Sequence, residues 1–153
     1  MGGTWNSQNK ILPGAYLNFL TNEPLSITPG DRGTVVLLQE MSVGTEGEMY
    51  TITALDSSEY PKDVDAGDKL LVNEVLKGAK TAIVYNLGTA RDAEAVATAL
   101  AALKTVSFNT LAYPYDDVSD TAIKTSITAW IKTMRSDEGV KIQGVLANSV
   151  ADD

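Results

Sequence analysis

Three short apolar runs alternate with two amphipathic ones between residues 81 and 148, and that order restricts the fold more than anything else in the chain. The apolar runs are Thr81-Ala-Ile-Val-Tyr-Asn-Leu87, Phe108-Asn-Thr-Leu-Ala-Tyr113 and Lys141-Ile-Gln-Gly-Val-Leu-Ala147. Each is rich in Val, Ile, Leu or aromatic residues and bounded by Gly, Pro or charge, so each predicts a buried strand. On the first intervening run Ala93, Val96, Ala97, Leu100 and Leu103 share a helical face, and on the second Ile123, Ile127, Trp130, Ile131 and Met134 do the same. Strand, helix, strand, helix, strand predicts an α/β fold with mainly parallel strands joined by right-handed crossovers.

The chain before this unit divides by composition. Residues 1–22 form an extended N-terminal arm, 23–67 a β-rich segment, and 68–153 the α/β domain. In the β-rich segment, Thr34-Val-Val-Leu-Leu38 is too apolar for a one-sided surface strand, and Glu48-Met-Tyr-Thr-Ile-Thr-Ala54 alternates. Asp68 is a candidate N-cap for a helix carrying Leu71, Val72, Val75 and Leu76 and ending at Gly78. Thr89 with Asp92 resembles a capping box, and Ser119 can cap the last helix, with Gly139 just past its end. The arm itself admits two readings. A polar, Gly-rich start suits a solvated terminus, whereas Trp5, Tyr16 and Phe19 suit a segment that pairs with a sheet edge, its own or a neighbour's.

The most informative exclusion is that the chain has neither cysteine nor histidine. Disulfides, thiolate nucleophiles, imidazole zinc sites and His-based general bases are all removed. Twelve Lys and Arg against 20 Asp and Glu give a net charge of −8, spread along the chain. That charge speaks against nonspecific binding to nucleic acid or to an anionic membrane. No apolar run approaches the ~20 residues of a membrane span, and the N-terminus lacks a signal peptide's basic start and apolar stretch. Met1-Gly2 is a poor myristoylation signal because Asn6 stands where Ser or Thr is wanted. The default address is the cytoplasm, with no cofactor and no metal expected.

Open parallel sheets bind ligands beyond the carboxyl ends of their strands. Here that rim comprises Asn86-Leu-Gly-Thr89, Tyr113-Pro-Tyr-Asp-Asp117 and Asn148-Ser149. Gly88-Thr-Ala-Arg91 could offer backbone N–H groups to a phosphate, but it lacks the three glycines of a dinucleotide fingerprint and the Lys of a P-loop. Asp116 and Asp117 could hold Mg²⁺, although adjacent aspartates before a helix are more often turn and dipole residues. A phosphate- or Mg-dependent enzyme is therefore the alternative reading. Arg135 is a candidate for a surface or intersubunit ion pair.

Beyond these pieces, the residues resemble the contractile tail sheath proteins of bacteriophages and phage-tail-like particles of Gram-positive type. Met1-Gly-Gly-Thr-Trp5, Ser7-Gln-Asn-Lys10, Pro13-Gly-Ala-Tyr16 and Phe19 carry the specific part of the likeness. Gly30-Asp-Arg-Gly33, Gly78-Ala-Lys-Thr81 with Ile83-Val-Tyr85, Phe108-Asn-Thr-Leu111, and Met134-Arg135 with Glu138-Gly139, Lys141 and Gln143 extend it. The resemblance implies a structural subunit without an active site, the N-terminal part of a longer protein. Such subunits stack as homo-oligomeric rings, usually hexameric, around an inner tail tube, between baseplate and tail terminator, in a virion or bacteriocin-like particle assembled in the bacterial host cytoplasm. Contraction would drive the tube through the target envelope. By the same resemblance the intersubunit arm, exchanging strands with neighbours, comprises Trp5, Asn6, Ser7, Gln8, Asn9, Lys10, Pro13, Gly14, Tyr16, Asn18 and Phe19.

Overall fold

A computed structural model describes residues 33–54 and 58–149. In chain order the elements are β1 (Thr34–Gln39), β2 (Met49–Ile52), α1 (Ala66–Gly78), β3 (Thr81–Asn86), α2 (Ala93–Ala102), β4 (Thr110–Tyr113), α3 (Thr121–Ser136) and β5 (Gln143–Leu146). Single 3₁₀ turns follow α2 at Leu103–Thr105 and precede α3 at Val118–Asp120. The strands form one sheet in the order β2-β3-β1-β4-β5, parallel throughout except for β2, which runs antiparallel to β3 at one edge. The expected α/β architecture is the observed one.

β1 sits at the centre of this sheet. Val36 lies opposite Ile83 on one side and Leu111 on the other, so the strand is paired along both edges and covered on both faces. This is why its sequence is a continuous apolar run and not an alternating one. The expected division between residues 67 and 68 therefore does not separate two sheets: strands from both sides of it are hydrogen-bonded neighbours. Val36, Leu38, Ile83, Tyr85, Leu111 and Tyr113 face the layer made by α2 and α3, where Val96, Ala99, Leu100, Ile123, Ile127 and Met134 meet them. Leu37, Ile52, Ala82 and Val84 face the opposite way, onto α1 through Val72. The two helical layers follow from strand order, since β1-to-β3 and β3-to-β4 crossovers run in opposite directions and right-handedness puts them on opposite faces.

Several local expectations shift when the chain is packed. α1 is capped by Asp65, whose Oδ1 accepts from the Asp68 backbone N–H at 2.8 Å, so Asp68 occupies the first turn. α2 is capped by Asp92 alone, accepting from the Ala95 N–H at 2.8 Å, and Thr89 lies too far upstream to take part. α3 has no side-chain cap, because the 3₁₀ turn carries Ser119 away from its first free N–H groups and leaves Asp120 at the N-cap. On α2 it is Ala99 that is buried, while Ala93 and Ala97 are exposed. Trp130 and Ile131 are half-buried against the core. Of the third apolar run only Ile142 is buried: β5 is an edge strand among the described residues, with Val145 52% exposed. Among the described residues it pairs with β4 alone, on one side.

Ile127 is fully buried beneath α3. Ile127→Ala is expected to cost about 2–5 kcal/mol in urea unfolding, whereas Val145→Thr on the open strand should change stability by less than about 0.5 kcal/mol.

Candidate functional site

In an open parallel sheet the natural crevice lies where adjacent strands send their crossovers in opposite directions. Here that point falls between the carboxyl ends of β1 and β4. The residues that converge there are Glu40 just after β1, Tyr115 and Asp117 after β4, Asp120 at the start of α3, and Arg91 from the β3–α2 connection. Gly88, with φ of +79°, turns the chain back after β3, and its N–H is held by Asn86 Oδ1 at 2.8 Å. The Met41 N–H donates to the Gly88 carbonyl at 2.9 Å and fastens this turn to the end of β1.

Arg91 fills the crevice. Its Nε donates to Asp120 Oδ2 at 2.9 Å, Nη1 to Glu40 Oε2 at 3.0 Å, and Nη2 to Asp117 Oδ2. Its backbone N–H donates to the other Glu40 oxygen, Oε1, at 3.1 Å. The guanidinium lies 4.4 Å from the centroid of the Tyr115 ring, a cation–π distance. Tyr115 accepts in turn from the Glu40 backbone N–H at 2.6 Å, and its ring meets Tyr113 edge-on at 5.2 Å. One planar fork thus ties three separate chain segments together, which a lysine's point charge could not do.

The partners differ in weight. The Asp120 side chain is 5% exposed and Arg91 22%, while Asp117 is 61% exposed. An exposed pair contributes about 0–1 kcal/mol, so Asp120 and Glu40 carry the network and Asp117 adds little. Asp120 and Glu40 hold Arg91 in its charged form, above even arginine's ordinary value. Burial, reinforced by the charge of Asp120 and partly opposed by Arg91, pushes the Tyr113 phenol well above the usual tyrosine range.

This arrangement decides the chemistry of the rim. The anion received by the Gly88–Arg91 turn is the chain's own Glu40 carboxylate, so the expected phosphate position is filled from within. Asp117 is engaged by Arg91 and Asp116 is exposed, and among the described residues no group of three or more acidic side chains could hold a metal ion. Arg135 donates at 3.4 Å to the Ile142 carbonyl, steadying the entry to β5. Sequence reasoning placed Arg91, Tyr115 and Asp117 near the rim but missed how they pair, and missed Glu40 and Asp120. Those two lie 51 and 29 positions from Arg91 in the chain, and only the strand order brings them together. Residues 5–19, the expected intersubunit arm, lie outside the described residues.

Two family models adjoin along the chain from residue 32 to residue 152. Residues 32–87 match the N-terminal region of domain III of the tail sheath protein Gp18, and residues 89–152 match the phage tail sheath protein central domain. The chain belongs to the phage tail sheath family. Among solved structures, the sheath tail protein of Desulfitobacterium hafniense aligns with a TM-score of 0.66 at 24% identity, covering 92% of this chain and 54% of that one. The sheath tail protein of Listeria innocua aligns at 0.64 and 21% identity, over 81% and 49%. These two likenesses establish the fold. The uncharacterized protein YqbK of Bacillus subtilis is 30% identical over 89 residues, 56% of this chain and 19% of its own length. The chain thus spans about half of each sheath structure and about a fifth of that relative. The junction between the two family models, at residue 88, is the turn that Arg91 pins to Glu40, so one sheet and one ion-pair network cross it.

Arg91→Met leaves Asp120 buried without its cation and should cost about 3 kcal/mol or more of unfolding free energy. Asp117→Asn should cost less than about 1 kcal/mol. The Tyr113 proton is held more tightly in the folded chain than in the unfolded one. Its contribution is therefore complete below about pH 10 and is lost as pH rises above it. Thermal melts should show an alkaline decline that is shallower in Tyr113→Phe.

Proposed function

We propose that this chain is part of a structural subunit of a contractile tail sheath, working mechanically and not as an enzyme. The observation that carries the reading is the match of both halves to sheath models, joined to a switch point occupied by the chain's own Arg91, paired with Glu40 and Asp120. In an α/β enzyme that crevice would stand open to a substrate. Here it is a clamp that stiffens the sheet.

The subunit stacks in rings, of sixfold order in the simplest case, around an inner tube, with baseplate and tail terminator at the ends. It is assembled in the host cytoplasm and acts in a virion or a bacteriocin-like particle. Contraction is a shift between two packings of the same rigid bodies, and rearranged interfaces supply the work. The described sheet suits that role. Among the described residues β2 and β5 are edge strands, each paired on one side, and an unpaired edge accepts an extended segment through main-chain hydrogen bonds. The donor segment we assign is the arm bearing Trp5, Asn6, Ser7, Gln8, Asn9, Lys10, Pro13, Gly14, Tyr16, Asn18 and Phe19.

Electron microscopy of the complete gene product is expected to reveal tubular polymers, and a protein that stays monomeric throughout would overturn the reading. Removal of residues 1–19 should abolish the polymers while the circular dichroism of the α/β core is retained. Normal assembly of that deletion would reject the arm's role.

A further inference from the structure

The concavity on the outer flank of α2 differs from the switch point. It has a volume of about 640 Å³ and opens over the β2–β3 margin of the sheet. Glu46, Asp92 and Glu94 lie along it, all exposed, and Tyr85 and Gly47 form part of its wall. Glu46 and Glu94 have no cationic partner among the described residues. Tyr85 is only 3% exposed, yet its hydroxyl has no hydrogen-bond partner among the described residues. That hydroxyl emerges at the concavity: a Cβ on Gly47 would stand 3.6 Å from it. The ring is buried while the hydroxyl is open at the concavity, where it can take a partner that the folded chain does not supply.

The chemistry selects the partner. A phenol flanked by carboxylates presents acceptors to a cationic group that carries several N–H donors. A bare metal ion is a poor match, because no three acidic side chains converge among the described residues and the volume is that of a small-molecule pocket, which spans about 300–1,000 Å³. A cation source of this kind lies on the far side of the same helical layer. Along α3, above β5, Lys132 and Arg135 line a second groove, and Lys141 is exposed just before the strand. Lys132 and Lys141 have no acidic partner among the described residues.

We infer that the acidic concavity of one copy receives the basic flank of α3 from the next, with Tyr85, Glu46 and Glu94 accepting from Lys132 or Arg135. The two surfaces occupy opposite margins of one layer, so the contact is head-to-tail. A head-to-tail contact repeats into a ring or a helical filament and does not stop at a dimer. The inference rests on the sheath reading for its partner, since it assigns the occupant to a second copy of this chain.

Sedimentation velocity on the chain at rising concentration tests the contact. Wild type should associate at low salt and dissociate at high salt, as an interface of exposed charges does. The pair Glu46→Lys with Glu94→Lys should sediment as monomer, and so should Lys132→Glu with Lys141→Glu. An equimolar mixture of the two variants should associate again. Tyr85→Phe should weaken wild-type association by about tenfold, the loss of one hydrogen bond to a charged group. A wild type that remains monomeric, reversals that associate like wild type, or a mixture that stays monomeric would each overturn the contact. Electron microscopy separates the two readings. Tubes that survive both reversals reject this interface and leave the sheath reading in place. Charge-dependent small oligomers without tubes support the interface and count against the sheath.

Discussion

The guanidinium of Arg91 is the point on which the described structure depends. It reaches Glu40 at the end of the central strand and Asp120 at the start of α3, while its own backbone hangs from the turn after β3. Without it, the carboxyl ends of three parallel strands would meet as a water-filled cleft lined by acid. Asp120 is buried nearly completely, so it is acceptable only as a paired charge. The same geometry that closes the cleft obliges the pair to persist.

Arg91 occupies the place where a doubly wound sheet can receive a ligand. Doubly wound sheets owe their catalytic range to the open crevice at the switch point. Here the atoms that would greet a ligand are spent on one another: the Arg91 N–H and both Glu40 oxygens, the Gly88 N–H and Asn86 Oδ1. Besides a shallow concavity beside Glu40 and Tyr115 at the end of β1, what remains available among the described residues lies at the margins of the sheet, at the outer sides of β2 and β5 and on the outer flanks of α2 and α3.

The junction of the two matched sheath models gains a physical meaning from this. Residues before and after position 88 belong to separate family models. In space, however, β1 from the first half is hydrogen-bonded to β4 from the second, and Arg91 from the second half grips Glu40 from the first. The two halves share one core and should unfold together.

The order of elements and the α/β class could be read from residue pattern, because apolar runs with periods near 2 and 3.6 report burial directly. The glycine after the last helix and the buried face of α3 were legible for the same reason. Helix starts were read less well: Asp65 and Asp92 win the capping positions through backbone geometry that a list of Ser, Thr and Asp cannot rank. The exposure of Val145 was illegible, since an apolar strand at a sheet edge has the same sequence as one at the centre. The Arg91 network was illegible for a deeper reason. Its members are distant in the chain, and which of the several arginines and aspartates meet depends on β1 standing between β3 and β4. Local periodicity sets what each segment becomes. Only the order of strands, through handedness and pairing, decides which charges share a cleft and whether it stays open.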